Sequence, residues 1–502
     1  MSAMGLTRRS FIRWVLSTGA AMACPIPSMG GGEPDKPGAP RKLGGETNKV
    51  CHDLRDHKLP AFPPPSRSVD VVVVGAGPSG YSAAEALRGS DYLVLEKESH
   101  VGGNAYTETW NGLDYCTGSA WASVFSPEVD ALFKRWKLAL RPVAGLDPAC
   151  FEGTWIKDFW DGKSDSPMID KLPYPESVKK GFRDFNKTLE GIDIEKEKEA
   201  LDARPFSEFF KGYPEPLKAY WDGFGPSNWG SRTELTSAYL GIQGARDWGK
   251  SQRYTFEGGL GMVSRTVWAS FPESDKKRFL FDATAVSVRK EGAKVLVTFF
   301  KDGKPETVAA KSVVVAAPKY VARRLVQGLP EDQDAAMGAM RYAPYAVYNL
   351  CFTRRVWTLG YDNWHVGARH YTDFVQADWV TRGDKGDPKG PQVLTLYAPH
   401  AENERADLLD DEESLSRAEK AVEELGTVVP GALDHLAEVR IFRRGHPMPM
   451  SVPGWYTKVQ PVARRDFPPV YFAHSDQAGE VSDVAYGALS GIEAAGKALK
   501  HL

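Results

Sequence analysis

Val71-Val72-Val73-Val74-Gly75-Ala76-Gly77-Pro78-Ser79-Gly80 joins four β-branched residues to three glycines at G-x-G-x-x-G spacing. Such a run reads as a buried parallel strand that turns directly into a helix. Gly75 serves the tight turn, Gly77 lets a pyrophosphate approach bare backbone, and Gly80 lets helix and strand pack closely. Pro78 and Ser79 open the helix, whose free N–H groups and positive dipole end face the phosphates. The next strand, over residues 92–95, ends in Glu96, 21 residues after Gly75, where a carboxylate accepts from ribose hydroxyls. Strand, glycines, helix and acid in register predict a dinucleotide site.

The bulk numbers fit a globular protein of two or three domains: 502 residues, 42% hydrophobic and 25% charged. With 63 basic against 65 acidic residues the net charge is −2, so no nucleic-acid partner is expected. No apolar run reaches the length of a membrane span. Thr7-Arg8-Arg9-Ser10-Phe11-Ile12-Arg13 resembles the twin-arginine export signal, and a short apolar stretch follows. Residues 1–24 are therefore expected to be a signal peptide read by the twin-arginine translocase, for a periplasmic or otherwise exported location. Ala21-Met22-Ala23-Cys24 leaves two outcomes open: ordinary cleavage nearby, or lipoprotein cleavage with a lipid anchor on Cys24. Cys51, Cys116, Cys150 and Cys351 show no metal-ligand spacing, and their pairing stays open, with Cys116 and Cys351 expected in the core.

Residues 25–65, rich in Pro and Gly, read as an extended tether. Residues 66–124 carry strand, glycine turn, helix and strand. Residues 125–254 lose that alternation for amphipathic helices (127–138, 176–189 and the charged GIDIEKEKEALDA) and for crowded aromatic residues. Strand character returns over 255–335 after the glycine turn Glu257–Gly261, with LFDATAVSVRKE, AKVLVTFFKDG and the buried run Ser312–Ala317. Residues 336–454 mix strands with an acidic helix around 412–425, and 455–502 close with a strand, a polar loop and a small-residue helix. The expected fold is α/β: a Rossmann-like nucleotide domain in three pieces (66–124, 255–335, 455–502) with an inserted α+β substrate domain (125–254, 336–454).

On these residues the chain resembles the FAD-dependent amine oxidase superfamily. Glu96-Lys97-Glu98-Ser99-His100-Val101-Gly102-Gly103 is similar to the family's second motif, an acid followed by a double glycine near pyrophosphate and flavin. The family's usual arginine after those glycines is Asn104 here, which shifts the phosphate contacts onto backbone N–H groups. The resemblance implies a ribityl hydrogen bond for Asp476, cofactor contacts for Ser475 and for Val286 on the returning strand, and a closing helix from Val484 and Ala485 aimed at the flavin ring. A helix N-terminus there stabilises the anionic reduced ring by about 0.3–1 kcal/mol. A second motif for NAD(P)H is missing, so electrons are expected to leave to dioxygen, a quinone or a soluble carrier.

Three departures stand out. The position of the family's lysine beside flavin N5, counted back from Trp357, is Val347. The two positions whose rings flank the substrate nitrogen in many members fall on Val484 and near Pro447; Tyr348, Trp455, Tyr456 or Tyr486 would have to supply a ring instead. His446, in RRGHPMPMSVPG, is the expected catalytic base near neutral pH. His474 is expected to order the loop around the cofactor. Arg443 and Arg444 would either attract an anionic substrate group or stay solvated. Glu208, Asp222 and Asp373 are candidate acids for a polyamine channel. The expected function is FAD-dependent oxidation of a C–N bond of an amine or polyamine. The alternatives are a desaturase or isomerase of an apolar conjugated substrate, or a non-catalytic FAD-binding protein. No metal is expected.

Overall fold

Four buried valines of the Arg67–Val74 strand form the centre of a seven-stranded sheet. The structure is a computed structural model, and it describes residues 39–123, 127–250, 252–379, 389–477 and 482–502. The central strand pairs in parallel with Tyr92–Leu95 on one side and Lys304–Val315 on the other. Phe279–Leu280 and Val470–Phe472 add parallel edges, while Ala283–Glu291 and Lys294–Lys301 extend the sheet antiparallel. One sheet is thus assembled from three separated stretches of chain, as the returning strand pattern predicts. Both faces of its parallel centre are covered, so residues 71–74, Tyr92–Leu95 and residues 313–315 are continuous apolar runs rather than alternating ones.

A second, eight-stranded sheet carries the inserted part, in the order Arg41–Gly45, Leu436–Pro449, Tyr342–Phe352, Gln392–Pro399, Asp373–Gln376, Asp362–His365, Ala149–Phe151, Thr154–Ile156. Helices Glu176–Glu190, Glu215–Trp229 and Ala238–Asp247 pack beside it through an aromatic core that includes Phe159, Trp160, Phe210, Tyr220, Trp221 and Phe224. Most of the crowded aromatic residues are therefore packing. The GIDIEKEKEALDA stretch is helical only over Lys198–Asp202. Its upstream half buries Ile194 as a turn, because a charge run without an apolar stripe gives a helix nothing to pack.

The tether expected over 25–65 is corrected for its described part. Arg41–Gly45 is a strand paired in parallel, residue for residue, with Val439–Arg443, and Lys49–Arg55 is a short helix. The edge of the Leu436–Pro449 strand offers unpaired backbone groups that this segment satisfies. Gly44 lies flat on the Phe442 ring, where a Cβ would come within 3.1 Å. Arg41 to Glu419 and Lys42 to Glu438 (2.8 Å) pin it further. Residues 39–502 form one compact unit, and the export signal, Cys24 and the rest of the tether lie outside the described residues. The four described cysteines are free thiols. Among the described residues no helix is long and apolar enough to cross a membrane.

Candidate functional site

Between the two sheets lies a cavity of about 1820 Å³. A drug-sized ligand fills roughly 300–1000 Å³, so this space takes a dinucleotide with a substrate beside it. Its groove end is built by the glycine turn. Gly75 has φ +100°, and a Cβ there would meet Ala316 O at 2.6 Å. A Cβ on Gly80 would fall 1.8 Å from Gly75 O, and one on Gly491 would fall 2.0 Å from Ser79 O. These glycines let the Pro78–Ala86 helix press against its strand and against the closing Val484–Lys500 helix. Gly77 is different: a Cβ there finds nothing nearer than Gly103 Cα at 3.9 Å. Two glycines face each other across bare backbone at the open N-terminus of a nine-residue helix, a cradle shaped for a diphosphate. Glu96, buried at the end of the neighbouring strand, lines the same wall. Its carboxylate accepts from Ala76 N and Glu98 N, while burial pushes its pKa up. The residues present fit FAD.

Of the residues expected to hold the cofactor, Gly75, Gly77, Pro78, Ser79, Glu96, Gly103, Asn104, Ser475 and Val484 line the cavity. Gly80 and Gly102 lie behind it as packing positions; a Cβ on Gly102 would meet Ala105 O at 2.7 Å. Val286 does not present its side chain, whereas Ala283, Thr284 and Ala285 of the same strand do. A bulge between Ala285 and Ser287 leaves Val286 without a partner in the facing strand, which frees backbone rather than side chain for recognition. The ribityl hydrogen bond expected of Asp476 is corrected. Its buried carboxylate takes Lys319 N (2.9 Å), Lys319 Nζ (2.8 Å) and Tyr342 Oη (2.8 Å), and this full set of partners ties the loop to the sheet. The Lys319 ammonium and His474 hold it far below the usual carboxylate range. Ala485 N is likewise taken, by the N-capping Asp483 carboxylate at 2.6 Å. His474 accepts from Asp476 N at 3.2 Å, the loop-ordering part expected of it.

The other end of the cavity is walled by Trp121, Trp229, Trp248, Tyr345 and Tyr397. Val347 forms part of this wall where the family's lysine would stand, and Pro447 and Val484 line it without rings. Of the rings suggested in their place, Tyr486 lines the cavity; Tyr348 belongs to the opposite face of the sheet, and Trp455 and Tyr456 to the helical core. Into this aromatic compartment face two carboxyls, Asp362 and Asp373, each 2% exposed. Behind them Arg253 donates to Asp147 (2.6 Å) and stands 3.9 Å from Asp362. Burial and the neighbouring carboxylates push Asp362 well up, and burial pushes Asp373 to about 7. Asp362 Oδ1 has no hydrogen-bond partner among the described residues. Three carboxyls against one guanidinium leave two of the carboxyls without a cationic partner of their own among the described residues.

His446 lines the cavity, stacked on Tyr320 with ring centroids 4.2 Å apart. Burial, with Arg405 and Arg324 nearby, pulls its pKa down to about 4. The expectation of a base poised near neutral pH is corrected: this imidazole is neutral at pH 7 and weakly basic. Glu208 pairs with Arg204 at the surface and Asp222 with Lys218, both away from the cavity, so of the three candidate acids Asp373 alone is brought to the site. Arg443 pairs with Asp411, whereas Arg444 is buried against Asn104. Sequence reasoning missed Asp362, which forms its pair only through strand register, and the Gly44–Cys51 segment, which closes the groove. Thr47 donates to Glu98 through N (2.9 Å) and Oγ1 (2.7 Å).

Residues 78–499 match the family model for flavin containing amine oxidoreductase. The chain is 24% identical over 274 residues to the oxidoreductase PigB of a Serratia strain, covering 52% of this chain and 40% of the relative. It is 24% identical over 305 residues to an L-amino acid dehydrogenase of Synechocystis, covering 55% and 63%. The chain thus spans about two fifths to two thirds of the length of these relatives. Among solved structures it is similar to a putrescine oxidase with putrescine bound, at 19% identity and a TM-score of 0.66, covering 86% of this chain and 99% of that one.

Proposed function

The chain belongs to the flavin containing amine oxidoreductase family, and on that premise we propose that it is an FAD-dependent oxidoreductase that oxidises the C–N bond of an amine carrying a second cationic group. The observation that carries this reading is the Asp362–Asp373 pair. Two carboxyls held away from water at the end of an aromatic channel are costly unless a cation joins them. A distal ammonium or guanidinium of the substrate is that cation, and one shared proton leaves as it binds.

Bound FAD supplies the two-electron acceptor for the C–H bond next to nitrogen. The protein's own residues position that bond. Val347, Tyr397 and Asp373 stand in one register row across three strands. Two strand spacings put about 10 Å between the first and last backbones, the span of a short aliphatic diamine. The tryptophan and tyrosine walls exclude water and grip the methylene chain. The apolar wall at Val347 favours the neutral form of the reacting amine, since desolvation disfavours its ammonium. The putrescine bound to one structural neighbour supports a diamine. Desaturation of an apolar substrate would use the aromatic walls but leave the acid pair without a role.

The acceptor on this reading is dioxygen, a quinone or a soluble carrier. Export by the twin-arginine route, with or without a lipid on Cys24, is part of the same proposal. It is tested by replacing Arg8 and Arg9 with Lys, which should hold the protein in the cytoplasmic fraction. For the chemistry, the purified full chain is mixed without oxygen with diamines, monoamines and an apolar polyene. A diamine should bleach the flavin at concentrations at least tenfold below a monoamine of equal length. Bleaching by the polyene alone, or by nothing, overturns the proposal.

A further inference from the structure

Arg444 is buried, 8% exposed, and lines the cavity. No carboxylate among the described residues pairs with it. Its Nε donates to Asn104 Oδ1 (2.9 Å), Nη1 to Thr117 O (3.1 Å) and Nη2 to Thr117 Oγ1 (3.3 Å). A guanidinium has five N–H donors, so two remain beyond these contacts. All three partners are neutral. They fix the planar group in place but leave its charge uncompensated, and an uncompensated buried charge is strongly unfavourable. The groups beside it supply no negative charge either: Asn104 Nδ2 donates to Pro447 O (3.3 Å), the buried Cys116 thiol is pushed up by burial, and Gly118 lies close enough that a Cβ would be 3.8 Å from Arg444 Cζ. The missing anion has to come from the cavity.

Asn104 directly follows Gly102-Gly103, the backbone cradle opposite Gly77. Its side-chain oxygen therefore anchors, beside the cofactor groove, a cation that enters from a strand 340 residues further along the chain. We propose that Arg444, positioned by Asn104 and Thr117, is the counter-charge of the flavin cofactor. Resting on the reading that the cavity holds FAD, this assigns Arg444 to an anionic group of that cofactor. Two sources share the chemistry: the diphosphate, negative in every state, and the ring, negative once reduced.

The test uses the full chain, stripped of flavin and refilled, in four forms: wild type, Arg444→Met, Arg444→Lys and Asn104→Asp. The affinity for oxidised FAD is followed by flavin fluorescence, the midpoint potential by titration, and apoprotein melting by circular dichroism. Arg444→Met should weaken oxidised FAD at least tenfold if the diphosphate is the partner. If the reduced ring is the partner, it should lower the potential by about 30 mV, the equivalent of tenfold weaker binding of the reduced form. Arg444→Lys keeps the charge and should stay within about threefold. Asn104→Asp is isosteric and hands the guanidinium an internal carboxylate, so it should melt higher as apoprotein yet bind FAD at least tenfold more weakly. A structural role alone does not predict these opposite signs. If Arg444→Met does not fold, Asn104→Asp decides. Affinity within twofold of wild type with an unchanged potential overturns the proposal. A wild type that takes up no FAD would instead defeat the reading on which it rests.

Discussion

The two ends of the cavity are made by different kinds of construction. The cofactor cradle is local: Gly75, Gly77, Pro78 and Ser79 lie within a stretch of five residues, and the close approaches around them involve backbone. The substrate end is assembled at long range. Tyr345, Asp362 and Asp373 come from three strands of the eight-stranded sheet, Trp229 from the end of the Glu215–Trp229 helix, and Trp121 and Arg253 from segments outside that sheet. Backbone shape makes the cradle at one end, with the buried Arg444 guanidinium beside it, and unbalanced carboxyls mark the other. The lesson is that damage should separate cleanly: changes in the groove act on fold or cofactor, and changes in the compartment act on substrate choice and pH.

The largest expected effect breaks the groove. Gly80→Ala places a Cβ on Gly75 O and should cost about 3 kcal/mol or more, seen as loss of soluble protein or a collapsed melting transition. Gly77→Ala is its control. With φ −69° and nothing near its Cβ, it should melt as apoprotein within about 1 kcal/mol of wild type, yet lose at least tenfold in FAD affinity. If both variants melt alike, the distinction between packing and cradle glycines is wrong.

Next comes the compartment. Asp373→Asn removes a buried charge from a cationic ligand, an interaction of roughly 2 kcal/mol or more. The KM of a diamine should rise about thirtyfold while that of a monoamine moves less than threefold. Equal changes for both would leave no cation subsite at the acid pair.

A smaller effect sharpens the same point through pH. Asp373 titrates near 7, so protonation below that value weakens the pull on a cation. The KM of the diamine should climb as pH falls through 7. The sign for stability is the reverse. A carboxyl raised from its unfolded value of 3.8 to about 7 binds more protons folded than unfolded between those values. Its stabilising contribution is complete below about 4 and is lost as pH rises through 7. Asp373→Asn should flatten both curves.

The smallest effect concerns His446. Since burial holds its pKa near 4, His446→Asn should change kcat less than threefold and leave the pH profile above 5 intact. A lost limb near neutrality would restore it as the base.

The groove was legible because its signal is dense and local. Glycines at fixed offsets after a β-branched run leave little choice of backbone, and the acid at Glu96 is fixed by the length of one crossover. The discontinuous sheet was readable for the same reason: its returning strands are apolar runs with clear ends. The compartment was only partly readable. Asp373 was a candidate without a pattern, and Asp362 was not one at all, because nothing along the chain marks a residue that gains meaning from the strand beside it. The Arg41–Gly45 strand was hidden by composition: Gly and Pro suggest a tether, and only the open edge of the Leu436–Pro449 strand makes it a strand. Asp476 and His446 show the opposite error. Motif position placed them beside the flavin, but the first spends its carboxylate on Lys319 and Tyr342, and the second lies against Tyr320 among cations.

Taken alone, the order of residues determined the strand, the glycine turn and the bare-backbone cradle at the helix start, since φ angles and the absence of a Cβ are local properties. Tertiary structure decided which charges go unanswered. Whether Arg444, Asp362 and Asp373 are balanced depends on what other segments bring within a few ångströms, and the penalty for a buried charge is set by that neighbourhood.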